Sequence, residues 1–251
     1  PRFKGFDRPG VLWPAFPSNR RLPQAQDFTQ IKAMGFTTVR MAVDPALFMG
    51  LTADKSWRIR QVMETSVHQA LDAGLSVIFD LHPNSRHKIY GERALLAAGD
   101  SGNFKPYTDA VANVAASLAK FPNGRVALEL VNEPRFSCTG SGQERWHEFL
   151  DAMVRAASES APDLPLVISG SCISSIEGLV ALDPSRWKRP GLFFTFHFYE
   201  PFPFTHQGAP FIAWPEKYLS GLPWPSAKGA DARAILAATA SRLQKMKAGD
   251  K

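Results

Sequence analysis

Polar side chains stand at the ends of short apolar runs along this chain. Carboxyl, imidazole and guanidinium groups are the ones that enzymes use to transfer protons and to bind polar substrates. A single residue of this kind is more often a hydrogen-bonded group of the core, but several run ends that converge on one opening favour a site. The residues are Arg40, Asp80, His82, Asn132, Glu133, Ser169, His197, Tyr199 and Glu200.

Two other chemistries are disfavoured by the spacing of their motifs. Gly170-Ser171-Cys172 follows an apolar run, but the Gly-x-Ser-x-Gly turn of serine esterases is absent. A metal hydrolase needs ligands on one face, as in HxH or HExxH, and no pair has that spacing. We therefore expect no metal ion and no cofactor. The residues tested in this way are His82, His87, His197, His206 and Asp80.

Short apolar, β-branched runs alternate with longer segments of helical period. Runs that are apolar at nearly every position indicate strands buried on both faces, which is typical of a parallel sheet. The strong runs are Thr37–Ala42, Leu75–Leu81, Arg125–Val131, Leu164–Ser169 and Leu192–Phe198, with a weaker one near Phe3–Phe6.

Helical segments separate these runs. Gly35 and Gly74 suit the C-terminal ends of the first two segments. Strands and helices in unbroken alternation, joined by right-handed crossovers, predict an α/β fold of the TIM-type (β/α) barrel class. The segments are Gln24–Met34, Trp57–Ala73, Tyr107–Lys120, Gly142–Ser160, Ser174–Leu182 and Ala230–Lys247.

The number of predicted units is smaller than a closed barrel requires. We count six strand-and-helix units, whereas this class has eight. We therefore expect a single partial barrel domain over residues 1–251, without the last two units. A stretch of about 30 residues rich in proline and aromatic residues follows Phe198, and loops of that length are usually functional or disordered. Its aromatic content favours a packed loop that faces substrate.

Four motifs on successive predicted strands resemble glycoside hydrolase family 5. Asn-Glu-Pro alone is a weak motif, but four motifs in the family's order are a specific signal. The resemblance covers the chain from about Phe3 to Tyr199. The motifs are GFTTVR (Gly35–Arg40), DLHPN (Asp80–Asn84), LELVNEP (Leu128–Pro134) and HFY (His197–Tyr199).

The resemblance implies retaining hydrolysis of β-glycosidic bonds by two glutamates. One carboxylic acid protonates the leaving oxygen while a carboxylate about 5–5.5 Å away attacks the anomeric carbon, and the first then acts as a base on water. Glu133 matches the family's acid/base residue. A negatively charged nucleophile nearby would raise the pKa of Glu133 and keep it protonated. The alternative for Glu133 is a rim carboxylate in a salt bridge.

Other family positions match residues on neighbouring run ends. Asn132 matches the residue that binds the sugar 2-hydroxyl, and Arg40 matches the arginine that keeps the nucleophile ionised. His82 resembles a sugar-binding histidine, while His197 and Tyr199 resemble the pair that orients the two glutamates. The alternative for Arg40 is a structural ion pair, and for the other three it is a hydrogen bond in the core.

Aromatic rings on predicted rim loops can form sugar-binding platforms, because the C–H face of a pyranose packs against a flat ring. Each ring could equally belong to the core of its loop, so the prediction concerns the group. Its members are Trp13, Trp214 and Trp224, with Phe202 and Phe204 nearby.

The second glutamate has no match in this sequence. In the family the nucleophile ends the seventh strand; here Glu216 lies inside the long loop, and Glu200 does not match the nucleophile motif. Three readings remain open. The chain is part of a longer enzyme, or it pairs with another copy that covers exposed strand edges, or it binds glycan without cleaving it. We expect the isolated chain to form oligomers or to be inactive as a monomer.

Composition excludes several classes of partner. Basic residues are scattered despite a net charge of +6, so no nucleic acid is expected. No apolar run approaches the ~20 residues of a membrane span, so no membrane is expected either.

Cys138 and Cys172 each follow a predicted strand end and could form a disulfide or remain two buried thiols. A disulfide would fit an oxidising compartment, and we expect a secreted or periplasmic protein, although no export signal is seen in this chain.

The function expected from the resemblance is an endo-β-1,4-glucanase that acts on β-glucan. A catalytically impaired glycan-binding barrel is the alternative, and the unmatched second glutamate supports it. The sequence does not distinguish cellulose, mixed-linkage glucan, xyloglucan and mannan, because rim contacts of a few kcal/mol separate them.

Overall fold

The structure is a computed structural model that describes residues 22–49, 53–83, 104–212, 216–225 and 230–249. It divides into two compact units, Pro1–His197 and Phe198–Lys251, which are treated separately below. The prediction of one domain over the whole chain stays a prediction. Predictions at Phe3–Phe6, Asn84, His87, Trp13 and Trp214 lie outside the described residues.

The first unit is built around a five-stranded parallel sheet whose strands are hydrogen-bonded in chain order. Each of the strong apolar runs is confirmed as a strand, with bounds that differ by a few residues. A parallel sheet without reversal of strand order is the arrangement of consecutive βα units in a barrel. The strands are β1 Thr38–Val43, β2 Ser76–Leu81, β3 Val126–Glu129, β4 Leu166–Ser169 and β5 Leu192–Thr195.

Helices connect consecutive strands of this sheet. Gly35 (φ 92°) and Gly74 (φ 82°) take left-handed backbone conformations after the first two, which confirms them as the predicted helix ends. The predicted helix Ser174–Leu182 is shorter than expected, because the residues before it have left-handed backbone angles. The helices are α1 Ala25–Ala33, α2 Ala53–Asp72, α3 Phe104–Leu118, α4 Gly140–Ser160 and α5 Ile176–Val180, with short 3-10 helices at Pro45–Phe48 and Pro184–Arg186.

The core of the first unit lies between the sheet and the helices that cover it. Phe79 of β2 and Leu128 of β3 are almost fully buried, as is Trp146 of α4. The indole Nε1 of Trp146 donates a hydrogen bond of 3.2 Å to the carbonyl of Ser169, so α4 is fixed against the end of β4. Buried apolar area of this kind is the main source of stability and holds the strand ends in place.

The strand β5 does not match the expectation of burial on both faces. Phe193 is 57% exposed and Phe194 is 41% exposed. Within the described part of the chain β5 pairs with β4 alone, so it forms an edge of the sheet. The apolar run therefore predicted the strand correctly and its burial wrongly.

The second unit is small and begins with a stretch that contains several aromatic residues. It contains α6 Phe202–Thr205, a 3-10 helix Glu216–Tyr218 and α7 Ala230–Gly249. Leu219 and Leu222 form its buried centre. Phe202 stacks on His206 with ring centroids 4.0 Å apart. The expectation of a packed loop that faces substrate stays a prediction. None of the described helices is long and apolar enough to cross a lipid bilayer.

Candidate active site

The carboxyl ends of the parallel strands bring the predicted polar residues to one edge of the sheet. Arg40 lies within β1, and Asp80 lies near the end of β2. His82 follows β2, Asn132 and Glu133 follow β3, and His197 follows β5. In barrels of this class the active site lies at this edge.

Arg40 is held between two buried carboxylates. Its Nε and Nη2 donate to the two carboxylate oxygens of Glu129 at 2.6 and 2.7 Å, which is a bidentate arrangement. Its Nη2 also lies 3.0 Å from Oδ2 of Asp80, whose side chain is fully buried. The structural ion pair that the sequence left open for Arg40 is therefore present. The role expected of Arg40 from the resemblance, keeping a nucleophile ionised, stays a prediction.

Three hydrogen bonds and one ion pair form a closed ring that includes Arg40. Its Nη2 donates to Oδ1 of Asn132 at 3.0 Å, and Nδ2 of Asn132 lies 3.0 Å from Nε2 of His82. Nδ1 of His82 lies 2.7 Å from Oδ2 of Asp80, and the same oxygen lies 3.0 Å from Nη2 of Arg40. Because an amide nitrogen can only donate, Nε2 of His82 accepts and its Nδ1 carries the proton shared with Asp80. We call Arg40, Asp80, His82, Glu129 and Asn132 the Arg40 network.

Burial dominates the electrostatics of this network. Burial raises the pKa of Glu129 above its ordinary value, and the nearby charge of Asp80 acts in the same direction against the hydrogen bonds from Arg40. Burial and the same carboxylates raise the pKa of Tyr107 well above its ordinary value. The Tyr107 hydroxyl therefore stays protonated and donates to the carbonyl of Leu130 at 2.7 Å.

Glu133 and His197 form a separate pair. Oε1 of Glu133 lies 2.7 Å from Nδ1 of His197, and the side chains are 26% and 15% exposed. Glu133 has a positive φ of 45°, a conformation that is unusual for a residue with a side chain. We call these two residues the Glu133–His197 pair. The side chain of Glu133 is partly exposed to solvent, unlike that of Glu129.

The pKa of Glu133 is set by opposing effects. Burial is the largest effect and raises it, but the hydrogen bond and charge of His197, together with the charges of His82 and Arg135, act in the opposite direction, and the pKa of Glu133 lies below its ordinary value. The sequence led us to expect a raised pKa from a neighbouring nucleophile. No described residue is assigned as that nucleophile, and the charged groups that act on the pKa of Glu133 among the described residues are His197, His82 and Arg135, so the expectation stays a prediction.

The arrangement places the partly exposed side chain of Glu133 beside a largely buried polar network. General acid–base chemistry needs a group within hydrogen-bond reach of a substrate, and Glu133 is accessible for that purpose. Within the described ranges, no group of three His, Cys, Asp or Glu side chains could hold a metal ion.

Cys138 and Cys172 are joined by a disulfide, with Cα atoms 5.5 Å apart. Of the two alternatives that the sequence left open, the disulfide is the one observed. It ties the loop after β3 to the loop after β4. Cys172, Ile173 and Ser174 all have positive φ values, of 53°, 60° and 56°. We call these three residues the left-handed segment.

Two of the predicted binding residues belong to the second unit. Tyr199 is 46% exposed, and its ring centroid lies 5.0 Å from that of His206. Trp224 is 64% exposed and packs against Phe204 at 5.2 Å. Their predicted roles in binding sugar stay predictions.

Glu129 is the residue of the site that sequence reasoning did not select. A signal was available, because Glu129 interrupts an otherwise apolar strand in RVALELV. A carboxylate that is 98% buried must be paired, and with Glu129 only 2% exposed its pairing with Arg40 satisfies that requirement.

Comparison with known proteins gives one family. The family described as Cellulase (glycosyl hydrolase family 5) matches residues 5–245. No curated protein matches the chain by sequence.

Solved structures share the fold at low sequence identity. Cel5A of Thermotoga maritima, solved with cellobiose, is 20% identical with a TM-score of 0.68, and the match covers 92% of this chain and 70% of that one. The cellulose synthase subunit Z of Clostridioides difficile is 19% identical with a TM-score of 0.67, over 92% of this chain and 71% of that one. The predicted (β/α) barrel class is thereby confirmed.

Proposed function

The chain belongs to glycosyl hydrolase family 5, and on that premise we propose that it cleaves β-1,4-glucan internally with Glu133 as the acid/base. Family membership makes it a glycoside hydrolase, and its structural neighbours include endoglucanases. One of these neighbours, Cel5A of Thermotoga maritima, was solved with cellobiose and also with mannotriose. Cellobiose is the repeating unit of β-1,4-glucan, which favours that polymer as the substrate of this chain.

The observation that carries the proposal is the position of Glu133. Its carboxyl is accessible at the carboxyl edge of the sheet and is oriented by His197 at 2.7 Å. In the first step Glu133 gives its proton to the glycosidic oxygen as the bond from that oxygen to the anomeric carbon breaks. The nucleophile bonds to the anomeric carbon in this step. In the second step water attacks the same carbon, the bond to the nucleophile breaks, and the Glu133 carboxylate takes a proton from that water. The nucleophile of the first step is assigned to no described residue.

The Arg40 network supports a binding role for Asn132. Its Oδ1 accepts from Arg40, and one amide hydrogen faces His82. The second amide hydrogen of Asn132 is then available for the sugar 2-hydroxyl, a contact that strengthens in the transition state. His82 acts here by holding the Asn132 amide in one orientation.

A glycan-binding protein without hydrolytic activity is the second candidate. The observation in its favour is that the guanidinium of Arg40 is already bound by Glu129 and Asp80. Within the described ranges, the strongest charged neighbour of Glu133 is His197, and no second catalytic glutamate has been assigned. A protein of this kind would bind β-glucan with unchanged affinity whether residue 133 is Glu or Gln.

We further propose that the protein works outside the cytosol and associates with itself. The disulfide between Cys138 and Cys172 favours an oxidising compartment. The exposed β5 edge with its phenylalanine side chains favours pairing with a second copy. Sedimentation equilibrium tests the association, and a stable monomer at all concentrations would contradict it.

Hydrolysis of a soluble β-glucan tests the function. We expect the wild-type protein to lower the viscosity of carboxymethylcellulose faster than it releases reducing ends, as an internal cut does. Glu133→Gln should reduce the rate by at least about 100-fold, the range expected for loss of a general acid. Glu144→Gln, an exposed glutamate on α4, is the matched control and should keep full activity. Wild-type activity retained by Glu133→Gln would overturn the proposed role.

A further inference from the structure

The left-handed segment is the most strained part of the described backbone. Residues other than glycine visit this conformation singly, and a run of three is rare because each Cβ approaches its own following carbonyl. Cys172, Ile173 and Ser174 form such a run directly after β4. Strain of this kind persists only where the surroundings impose it, and it concentrates at functional sites.

Hydrogen bonds hold the segment against the loop that follows Glu133. The amide of Ile173 donates to the carbonyl of Pro134, and the amide of Cys172 donates to the carbonyl of Phe136, both at 3.0 Å. The disulfide to Cys138 adds a covalent tie to the same loop. The loop that carries Glu133 and the segment are therefore joined at three successive points.

Close backbone packing fixes the base of the segment. A Cβ atom on Gly170 would lie 1.9 Å from the backbone carbon of Gly178, and one on Gly178 would lie 2.1 Å from the carbonyl oxygen of Ser171. Ser174 is fully buried, and its hydroxyl donates to Oγ of Ser169 at 2.9 Å. The segment therefore has little freedom to relax while these contacts are intact.

The far end of the segment contacts the histidine of the Glu133–His197 pair. The carbonyl of Ser174 accepts a hydrogen bond of 2.7 Å from the amide of His197. Nδ1 of His197 in turn lies 2.7 Å from Oε1 of Glu133. A closed path thus runs from Glu133 through Pro134, the segment and His197 back to Glu133.

We propose that the left-handed segment, locked by the Cys138–Cys172 disulfide, is a positioning element that holds His197 against Glu133. The inference rests on the proposed acid/base role of Glu133 and adds the parts of the chain that set its orientation. The left-handed segment does not take part in the proposed proton transfer. It acts through the backbone of His197.

Release of the segment has a specific electrostatic consequence. The hydrogen bond and charge of His197 are the largest effects that lower the pKa of Glu133 against burial, and the charges of His82 and Arg135 add to them. If His197 moves away, the pKa of Glu133 rises. A segment with only a general structural role would change stability and leave that pKa where it is.

The first test removes the disulfide and then relieves the backbone strain of the left-handed segment. The carboxyl carbon of Glu133 is titrated by NMR, with its signal assigned by Glu133→Gln. We expect the Cys138→Ser/Cys172→Ser variant to show a higher pKa for Glu133 than the wild type. Adding Ile173→Gly should restore the wild-type titration, because glycine adopts the left-handed conformation without strain. Ile176→Gly is the matched control, since Ile176 is similarly exposed but lies in the right-handed helix α5.

The second test keeps the disulfide and breaks the segment directly. Proline fixes φ near −65° and cannot adopt the angle of Ile173, so Ile173→Pro should raise the pKa of Glu133. Ile176→Pro should not, because position 176 is the first residue of α5 and proline is tolerated there. The comparison of Ile173→Pro with Ile176→Pro tests the proposal even if the double cysteine variant does not fold.

Activity provides a second readout. The released variants should lose about 10-fold in kcat with KM within about 2-fold, because misplacement of an acid affects the chemical step more than binding. An unchanged titration in both the double cysteine variant and Ile173→Pro overturns the proposal. If the pKa of Glu133 rises in Ile173→Pro but not in the double cysteine variant, the disulfide has no part in positioning His197. Titration needs no turnover, so a wild-type protein without hydrolytic activity overturns the proposed function and leaves this test intact.

Discussion

Two glutamates from the same stretch of chain, Glu129 and Glu133, occupy contrasting surroundings. Glu129 is 2% exposed and shares a guanidinium with Asp80 inside the Arg40 network. Glu133 is partly exposed and depends on one histidine and on the backbone around it. The first carboxylate is fixed by charge and burial, whereas the second is fixed by loop geometry. Glu129 therefore has the surroundings of a structural carboxylate, and Glu133 has the partial exposure that its proposed role in proton transfer requires.

The largest effect on stability should come from Glu129. Glu129→Ala leaves Arg40 without its bidentate partner, and breaking a buried ion pair typically costs about 3–5 kcal/mol of the free energy of unfolding. Urea denaturation measures this change. Glu133→Ala is the matched comparison and should cost less than Glu129→Ala, because the Glu133 side chain is partly exposed and its ion pair is partly screened by solvent. Equal losses in the two variants would remove the distinction between the two carboxylates.

A smaller effect should come from the tyrosine that fixes β3. The Tyr107 hydroxyl is fully buried and donates to the carbonyl of Leu130, just before Asn132. Tyr107→Phe leaves that carbonyl without a partner, so we expect a loss of about 1–2 kcal/mol in the free energy of unfolding. Thermal unfolding followed by circular dichroism detects it. No change in stability would mean that the carbonyl finds water instead.

The most subtle effect concerns the pH dependence of the Glu133–His197 pair. The proton-donating form of Glu133 exists below its pKa and is lost as the pH rises through it. Because His197 lowers that pKa, His197→Ala should raise it and move the alkaline limb of kcat to higher pH. His197→Asn keeps a hydrogen-bond donor without the charge, so its limb should lie between the other two. An identical limb in all three proteins would show that His197 does not control Glu133.

The Arg40 network follows largely from the sequence, and its reason is physical. Apolar runs specify parallel strands, and parallel strands bring their carboxyl ends to one edge. The contacts of Asn132 with Arg40 and of Glu133 with His197 agree with the expected convergence of the run ends, and the resemblance implied that His197 orients a glutamate. The partner of Arg40 was not identified, because a glutamate within a strand was treated as part of an apolar pattern.

The geometry around Glu133 could not be predicted in the same way. The left-handed segment contains cysteine, isoleucine and serine, none of which favours positive φ, so no local propensity announces it. It arises from long-range contacts with Pro134 and Phe136 and from the disulfide. The exposure of β5 was missed for a related reason, since a run of apolar residues does not tell an edge strand from a central one.

The most direct test of the proton-donor role compares two leaving groups in Glu133→Ala. A dinitrophenolate departs without a proton, whereas the alcohol of a sugar chain needs one. Loss of kcat/KM for dinitrophenyl β-cellobioside should be less than about 10-fold, and for a soluble β-glucan it should be at least about 100-fold. Equal losses on the two substrates would contradict Glu133 as the residue that protonates the departing oxygen.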